Sequence, residues 1–465
     1  MTVLGNLGRW LGNGRSVWKK LKYKALLLLA ALVTVLSGVG WGAIAQDYPQ
    51  PFEPLPPRAF QEIRGVWVTT NDMDVLRDSY LLHSAVAQLA RLNFNTIYSV
   101  VWNSGYVLYP SPVAQRAGIQ PFVQRGLNGQ DMLADLINAA HREGVLAIPW
   151  FEFGFMAPPM SELTTLHPDW LTRRYDGGYT SLSAAGEVNW LNPFHPEVQQ
   201  FITDLVLEVV TRYDVDGIQF DDHTSLPVEF GYDPYTIALY QQETEQPPPA
   251  NPRDPAWMRW RADKLTAFMT QLHGAVKARK PNIIFSVSPN PYDTAYDAFL
   301  QDWLAWVRQG LVDELLVQVY RSDIQSFMDH ISRPEIREAQ QLIPTGAGIL
   351  TGLRNRPMPM RMVQAKVQAA RSRGLGFSFF FYESLWDIAP EPPEERQTIF
   401  QAMFQNPAVR DRVAIAQPPA PSPPPDDLPP VLPPLSEELP PVPPPRAEEL
   451  PVPPSPPADW LTYPQ

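Results

Sequence analysis

The sequence predicts an α/β protein of the (β/α)8 TIM-barrel class, and three observations lead to this prediction. Eight short apolar, β-branched or aromatic runs recur between residues 58 and 406. Most of these runs are separated by longer segments of helical period. Several of the helical segments end at glycine or just before proline. Strands that alternate with helices form a parallel sheet, and eight such pairs fit a closed barrel. A doubly wound open sheet is the alternative, which the lack of a G-x-G-x-x-G motif after the first strand disfavours.

The expected strands are short runs that end in polar or turn-forming residues. In chain order they are RGVWVTT (64–70), FNTIYSVVWN (94–103), VLAIPWFEF (145–153), DGIQFDD (216–222), IIFSVSPN (283–290), ELLVQVY (314–320), LIPTGAGIL (342–350) and GFSFFFY (376–382). The helical segments between them include 79–93, 130–144, 196–213, 263–280, 297–310 and 360–374.

Two connections of the expected barrel are unusually long. They follow the third strand, from Gly154 to His195, and the fourth strand, from His223 to Ala256. Long loops in a compact domain are more often functional than decorative. We therefore expect both to wall a cleft over the barrel mouth, where barrel enzymes carry their active sites.

The N-terminus, residues 1–45, has the pattern of an export signal. Basic residues precede the apolar run ALLLLAALVTVL (25–36), and Ala43–Ile44–Ala45 resembles a cleavage site. The alternative is an uncleaved anchor, because Ala25 to Ala45 is just long enough to cross a bilayer. Either way the bulk of the chain is expected outside the cytoplasmic membrane, in the periplasm or cell envelope.

Proline-rich segments flank the expected domain. A short linker covers residues 46–57, and residues 407–465 form a tail in which 21 of the last 48 residues are proline. Proline at that density prevents helix and sheet formation, so we expect a disordered, polyproline-II-rich tail. It is either a spacer or a docking strand for an envelope or cell-wall partner.

Composition excludes several classes of protein. The 465-residue chain carries a formal net charge of −12, which argues against nucleic acid bound by bulk electrostatics. It contains no cysteine, so disulfides, thiolate nucleophiles and cysteine metal sites are excluded. No G-x-S-x-G, Walker A or H-E-x-x-H motif occurs either, and we expect neither a cofactor nor a metal.

The end of the fourth strand, DGIQFDDH (216–223), supplies the first candidate for chemistry. Side chains of a barrel strand alternate between the axis and the surrounding helices, and the apolar residues here suit the helix side. Gln219 and Asp221 then face the axis, with Asp221 at the mouth. Asp222 begins the loop, and we expect a backbone amide or a loop arginine to hold it. The alternative for Asp221 is a carboxylate that only hydrogen-bonds a neighbouring loop.

A second carboxylate is needed, and two strand ends offer one. Glu152 shares a face with Trp150 at the end of the third strand, where the indole would raise its pKa and stack on a sugar ring. Glu383 ends the eighth strand, although Tyr382 is the alternative axial residue there. The alternative for each glutamate is a salt bridge at the rim of the barrel instead of a catalytic role.

Amides, hydroxyls and aromatic planes at the strand ends suit a carbohydrate, since they offer donors, acceptors and flat apolar faces. The residues that we expect to bind a glycan substrate are Trp67, Trp102, Asn103, Trp150, Gln219, Asp222, His223, Asn290, Gln318 and Tyr320. Two carboxylates that flank a glycosidic bond are the minimal machinery of glycoside hydrolysis. A metallohydrolase built on Asp221, Asp222 and His223 is the alternative.

The chain resembles the glycosyl hydrolase-like family ten, a family of exported bacterial (β/α)8 proteins. The similarity covers about Phe60 to Phe404, and its most specific block is NWLNPFHPEVQQFITDLVLEVVTRYDVDGIQFDDH (189–223). Other matching pieces are EIRGVWVTT (62–70), YPSPVAQRAG (109–118), AAHREGVLAIPWFE (139–152), FSVSPN (285–290) and GLVDELLVQVYR (310–321).

The resemblance implies a hydrolase that acts on glycans, and a divisome-associated relative suggests peptidoglycan strands, including strands stripped of their stem peptides. DGIQFDDH is also similar to the fourth-strand motif of α-amylase-type barrels, and that match implies Asp221 as nucleophile. The fifth strand departs from the wider pattern because it ends in Ser288, Pro289 and Asn290 rather than in an acid. Glu152 is therefore the first candidate for the general acid and Glu383 the second. A catalytically silent glycan-binding or scaffold protein on the same barrel is the alternative function.

Overall fold

The computed structural model describes residues 61–120, 130–183 and 186–410, all within one compact unit. The predicted fold class is confirmed: eight parallel strands close into a barrel in chain order. We number the barrel strands β1 (Arg64–Val68), β2 (Thr96–Val100), β3 (Leu146–Phe151), β4 (Gly217–Asp221), β5 (Ile284–Ser288), β6 (Glu314–Gln318), β7 (Thr345–Leu350) and β8 (Gly376–Phe380).

Each strand lies inside the corresponding predicted run and, except for β7, ends earlier than predicted. The apolar runs continue into buried residues just beyond the strand ends. Val101 and Val319 are examples, and their backbone N–H groups donate to the carbonyl oxygens of Trp150 and Gly348 on the neighbouring strands. Closure is made by β1 and β8, where Arg64 is in register with Phe377. The parallel order places all eight strand C-termini at one mouth.

The helices surround this barrel, and most of the expected ones are present. Those of the barrel layer and its loops are Met73–Arg77, Ser79–Arg91, Pro112–Arg116, Met132–Arg142, Glu162–Leu166, Pro196–Arg212, Pro234–Thr244, Pro255–Arg279, Tyr292–Phe299, Trp303–Arg308, Ile324–Ile331, Pro334–Leu342, Met360–Arg371, Tyr382–Trp386 and Pro393–Met403. The segment expected as one helix over 297–310 is broken because Leu300 adopts a left-handed conformation (φ 55°) and Asp302 caps a new helix.

Polar side chains run through the barrel interior, which shows how the strands alternate. Trp67 Nε1 donates to Gln219 Oε1 at 2.7 Å, and Gln219 Nε2 donates to Ser286 Oγ at 2.9 Å. Ser286 Oγ donates in turn to Glu314 Oε1 at 2.8 Å. On the other face of β4, Phe220 packs between Phe151 and Phe285. Gln219 therefore faces the axis, as the sequence predicts.

The chain closes the bottom of the barrel with residues 403–410. Asn93 and Asn95 donate to the backbone oxygens of Phe404 and Ala408. Arg410 forms an ion pair with Glu314, which is 1% exposed inside the barrel. These contacts extend four residues beyond the predicted domain boundary at 406. The predicted signal, the linker and the tail after 410 lie outside the described residues.

The two long loops carry structure of their own. After β3 come a helix and a small sheet of residues 156–157, 180–183 and 186–190, and after β4 comes the helix Pro234–Thr244. A bridge between Arg174 and Phe230 joins the two loops. Within the described ranges, no helix combines the length and apolar character needed to cross a membrane.

Candidate active site

The fourth strand ends in two adjacent carboxylates, Asp221 and Asp222, followed by His223. Asp221 is the last residue of β4 and is in register with Ser288 of β5. Both carboxylates are buried, with 2% of Asp221 and 4% of Asp222 exposed. Because Gln219, two residues earlier, points into the barrel, Asp221 lies on the axial face at the mouth.

Asp222 is held by side-chain amides from the next two strands. Its Oδ2 accepts a hydrogen bond from Asn290 Nδ2 at 2.9 Å, and its Oδ1 accepts one from Gln318 Nε2 at 2.9 Å. The sequence led us to expect a backbone amide or a loop arginine, whereas the partners shown here come from the ends of β5 and β6. Asp222 is thus fixed across three strands, which suits a supporting role.

His223 links the third and fourth strand ends. Its Nδ1 lies 2.9 Å from the backbone oxygen of Glu152, 3.3 Å from Asp221 Oδ2 and 3.8 Å from Asp222 Oδ1. A carbonyl oxygen can only accept, so Nδ1 carries a proton and donates it to Glu152. The His223 backbone N–H also donates to Asp221 Oδ1 at 3.0 Å. The imidazole is therefore oriented toward both aspartates.

Glu152 stands beside Asp221 on the neighbouring strand. Phe151, the last residue of β3, is in register with Phe220, and both acids follow directly after this pair. Glu152 Oε2 accepts a 2.6 Å hydrogen bond from Asn103 Nδ2. The predicted pair of Glu152 and Asp221 is thus brought together, with Asn103 holding the glutamate.

The three titratable groups of this cluster have shifted pKa values. Burial raises the pKa of Glu152 to about 8, and the Asn103 hydrogen bond opposes that rise. Burial also raises the pKa of Asp221 to about 7, against the attraction of the His223 imidazolium. Burial alone would lower the pKa of His223, but the charges of Asp222 and Asp221 outweigh it and raise that pKa to about 10. These shifts favour the protonated form of Glu152 and the cationic form of His223 at neutral pH.

Several buried polar groups near the carboxylates have no hydrogen-bond partner among the described residues. Two of them lie on barrel strands: the indole Nε1 of Trp150, which is 3% exposed, and the Oγ of Ser288, which is 1% exposed. Trp150 is in register with Gln219, and Ser288 with Asp221, so both lie on the axial face. An unpaired buried donor costs about 1–3 kcal/mol. Both groups can therefore hydrogen-bond polar atoms of a ligand.

Other residues that the sequence assigns to substrate binding form the floor and wall of the site. Trp67 and Gln219 hydrogen-bond each other beneath the carboxylates and are fully buried. Tyr320 packs against Phe380 with ring centroids 4.9 Å apart. Its ring also faces Gly348, where an added Cβ would approach Tyr320 Cε1 to 3.0 Å. Glycine at 348 thus leaves room for this aromatic wall.

The prediction that Trp102 binds substrate is wrong. The β2 ladder ends at Val100, and Trp102 begins a separate two-stranded hairpin with Val107. Its Nε1 donates to the backbone oxygen of Gly154 at 2.9 Å, and its ring packs edge-on against Phe201. Because the strand breaks before it, the strand alternation no longer applies and the indole enters the helix layer.

Glu383, the second candidate for the acid, is not part of the cluster. It lies in the short helix Tyr382–Trp386, and Arg354 Nη2 is 3.2 Å from its Oε2. Its backbone N–H donates to Asp72 Oδ1 at 2.8 Å. Glu383 therefore forms a salt bridge with Arg354 at the rim, which is the alternative that the sequence analysis gave for this residue.

Sequence reasoning missed Gln301, which holds the loop beneath Asp221. Its Nε2 donates to the backbone oxygens of Asp221 and Thr224 at 2.8 and 3.2 Å. The residue follows the helix Tyr292–Phe299, 80 positions after Asp221, and its neighbours in the sequence give no sign of this contact.

The donor atoms of Asp221, Asp222 and His223 lie within 4.8 Å of one another, so the three residues are also a candidate metal site. Nδ1 of His223 carries the proton donated to Glu152 O, which leaves only Nε2 with a lone pair for a cation. Both oxygens of Asp222 already accept hydrogen bonds from Asn290 and Gln318. These hydrogen bonds favour an ion-paired cluster over the metallohydrolase alternative.

Comparisons with known proteins identify a family and several relatives of this chain. The model of the family "Glycosyl hydrolase-like 10" matches residues 62–370. Glycosyl hydrolase DigH of Escherichia coli K12 is 26% identical over an alignment of 355 residues that covers 65% of this chain and 76% of that protein. Glycosyl hydrolase YngK of Bacillus subtilis is 23% identical over 298 residues, 56% of this chain and 54% of that protein.

Solved structures share the fold. The PgaB (BpsB) glycoside hydrolase domain from Bordetella bronchiseptica aligns with a TM-score of 0.55 at 14% identity, covering 74% of this chain and 98% of that one. The catalytic domain of β-amylase from Paenibacillus polymyxa aligns with a TM-score of 0.54 at 10% identity, covering 75% and 100%. At such identities the likeness concerns the barrel, and the family match and the names of the relatives support a glycosidase-type function.

Proposed function

The chain belongs to the glycosyl hydrolase-like 10 family, and from this membership and the site geometry we propose that it is an exported glycoside hydrolase that cleaves peptidoglycan glycan strands. The reacting groups are Asp221 and Glu152. The observation that carries the proposal is their placement side by side at the mouth, where Asp221 is buried and Glu152 half-buried, and where desolvation raises the pKa of both carboxyl groups.

The surroundings of the two carboxyl groups support their roles. His223 Nδ1 lies 3.3 Å from Asp221 and favours its anion, whereas desolvation raises the pKa of Glu152 and favours the protonated form that a general acid needs. Glu152 donates its proton to the glycosidic oxygen as that oxygen leaves the anomeric carbon. Asp221 forms a bond to the anomeric carbon or stabilises its positive charge. The Glu152 carboxylate then takes a proton from water, whose oxygen bonds to the anomeric carbon and releases the Asp221 carboxylate from it.

The spacing of neighbouring strands supports retention of anomeric configuration as part of the proposal. Residues in register on adjacent strands lie about 4.8 Å apart, and Glu152 and Asp221 directly follow the register pair Phe151 and Phe220. Retaining glycosidases hold their carboxyl groups about 5–5.5 Å apart, whereas inverting ones need about 6.5–9.5 Å for a water. We therefore expect the nucleophilic, retaining course. NMR of the first product formed would show the opposite anomer if the enzyme inverts.

Asn290 and Gln318 orient Asp222, and His223 supplies a positive charge to both aspartates. The unpaired Nε1 of Trp150 and Oγ of Ser288 are available to the hydroxyls or amides of a bound sugar. The glycan and the envelope location follow from the family resemblance and from the expected export signal, and the proline-rich tail is the expected link to an envelope or cell-wall partner.

The test is to incubate the purified protein with intact peptidoglycan, with peptidoglycan stripped of its stem peptides and with α-glucans, and to identify released fragments by mass. We expect fragments from peptidoglycan strands and a loss of at least about a thousandfold with Asp221→Asn, the scale of removing a reacting group. Release from α-glucans alone would overturn the substrate. Binding without release from any glycan would support the non-catalytic alternative.

A further inference from the structure

Exposed apolar and aromatic side chains concentrate on the two long loops. Six of the ten large ones among the described residues belong to the loops after β3 and β4: Met160, Leu166, Tyr175, Tyr179, Leu182 and Tyr235. Scattered exposed apolar residues are ordinary, whereas a concentration beside a cleft marks an interaction surface. Tyr175 and Tyr179 are 63% and 37% exposed.

A closed turn presents these two tyrosines, which we call the tyrosine pair. Arg174 N–H donates to the backbone oxygen of Gly178 at 2.8 Å, and Gly177 N–H donates to that of Arg174 at 2.9 Å. Gly177 has a φ of +84°, a value that favours glycine. Tyr175 and Tyr179 each follow one residue of the closing pair, so the turn fixes their separation.

The tyrosine pair is supported from below. The ring of Tyr175 meets that of Tyr232 edge-on with centroids 5.2 Å apart, and Tyr232 packs in turn on the fully buried Trp257. The guanidinium of Arg173 lies 4.7 Å from the ring centroid of Tyr179. Rings held in this way lose little freedom when a ligand stacks on them, which favours binding.

The small sheet connects the tyrosine pair to the carboxylates. Thr180, next to Tyr179, is in register with Asn189, and the following residue, Trp190, packs on His223 with centroids 6.3 Å apart. His223 lies 3.3 Å from Asp221. The exposed tyrosines therefore belong to the same loop structure that covers the site.

We propose that the tyrosine pair is a remote subsite that binds the non-reacting part of the same polysaccharide, through stacking of sugar C–H faces on the two rings. The inference rests on the proposed function and adds that the substrate is a long glycan chain that extends from the cleft along the small sheet. Aromatic faces of this kind bind sugars without need of charge. Binding energy from the remote part of a long chain raises kcat/KM for that chain relative to a short oligosaccharide.

The experiment compares the double variant Tyr175→Ala/Tyr179→Ala with Tyr80→Ala. Tyr80 is 80% exposed on the helix Ser79–Arg91 and serves as the matched control. The probes are long peptide-stripped glycan strands and a short oligosaccharide cut from them. For long strands, the double variant should raise KM roughly tenfold with kcat unchanged, because the two rings stack only on the non-reacting part of the strand. For the short probe, the double variant and the control should agree within about twofold.

Binding of the long strands is also measured in the Asp221→Asn background, which keeps this test separate from that of the proposed function. A weaker binding in the double variant than in Tyr80→Ala supports the remote subsite even when no enzyme form cleaves the strands. Equal binding of long strands by the double variant and the control overturns it. Equal loss on long and short probes also overturns it, because the tyrosines would then act at the cleavage site itself.

Discussion

Replacing His223 with asparagine tests the electrostatics of the site most sharply. The amide nitrogen of asparagine takes the place of Nδ1 and keeps the hydrogen bond to Glu152 O, so the substitution removes mainly the positive charge. His223 lowers the pKa of Asp221, which burial raises to about 7. Its loss therefore raises the pKa of Asp221 further, and the pKa of Glu152 moves in the same direction.

The magnitude follows from the distance of 3.3 Å between Nδ1 and Asp221 Oδ2. Unit charges about 4 Å apart interact by roughly 4 kcal/mol at an effective dielectric constant of about 20, which corresponds to about three pKa units. Opposite charges at this range shift measured pKa values by about 1–3 units. We expect the acidic limb of the kcat/KM profile to move up by at least one unit, since Asp221 must be ionised for reaction.

The assay records kcat/KM on stripped glycan strands between about pH 5 and pH 10, the range that covers both limbs. Asp222→Asn is the matched control of opposite sign, because the charge of Asp222 raises the pKa of Asp221. Its acidic limb should move down. An acidic limb that stays in place in His223→Asn, with KM unchanged, would refute the assignment of that limb to Asp221 beside a cationic histidine.

Three further predictions concern neighbouring groups. Glu152→Gln should lose activity but melt about 2–5 °C higher at pH 9 than the wild type. The reason is that the pKa of Glu152 is raised in the folded state, so ionisation of this carboxyl destabilises the wild type progressively as pH rises from about 4 through about 8. The two melting temperatures should converge near pH 4, and a constant difference would contradict the raised pKa. Ser288→Ala should lower kcat/KM about tenfold without lowering the melting temperature, since the buried Oγ of Ser288 has no partner among the described residues and its removal deletes a single atom; a less stable, fully active variant would argue against this. Arg410→Ala should destabilise the fold by about 3–5 kcal/mol in urea titrations, because it leaves the buried Glu314 without its cationic partner. Adding Glu314→Gln should recover most of this loss, and no recovery would show that the ion pair is not its cause.

The periodicity of the sequence was enough to predict the barrel and the axial side of β4. Strand alternation placed Gln219 and Asp221 toward the axis, and Gln219 indeed bonds Trp67 across the barrel. The same rule placed Glu152 beside Asp221, since the ladder of β3 and β4 continues regularly up to the pair Phe151 and Phe220. Local patterns succeed where the strand is unbroken.

Alternation failed at Trp102 because the ladder of β2 ends two residues earlier, and the sequence has no turn signal at that point. Contacts between distant segments were also beyond a local reading. Asn290 and Gln318 were recognised as polar strand ends, but their shared partner, Asp222, depends on how three strands converge. Arg410 is a similar case, since it lies within the expected tail and yet closes the barrel floor.

The most direct test of the account compares the wild type with Asp221→Asn on stripped glycan strands, with new reducing ends and bound strand measured in the same samples. The wild type should generate reducing ends, and Asp221→Asn should generate them at least about a thousandfold more slowly while binding the strands within about twofold. Equal rates in the two proteins, or binding by both with no new reducing ends from either, would contradict the claim that Asp221 is the reacting carboxylate of a glycoside hydrolase.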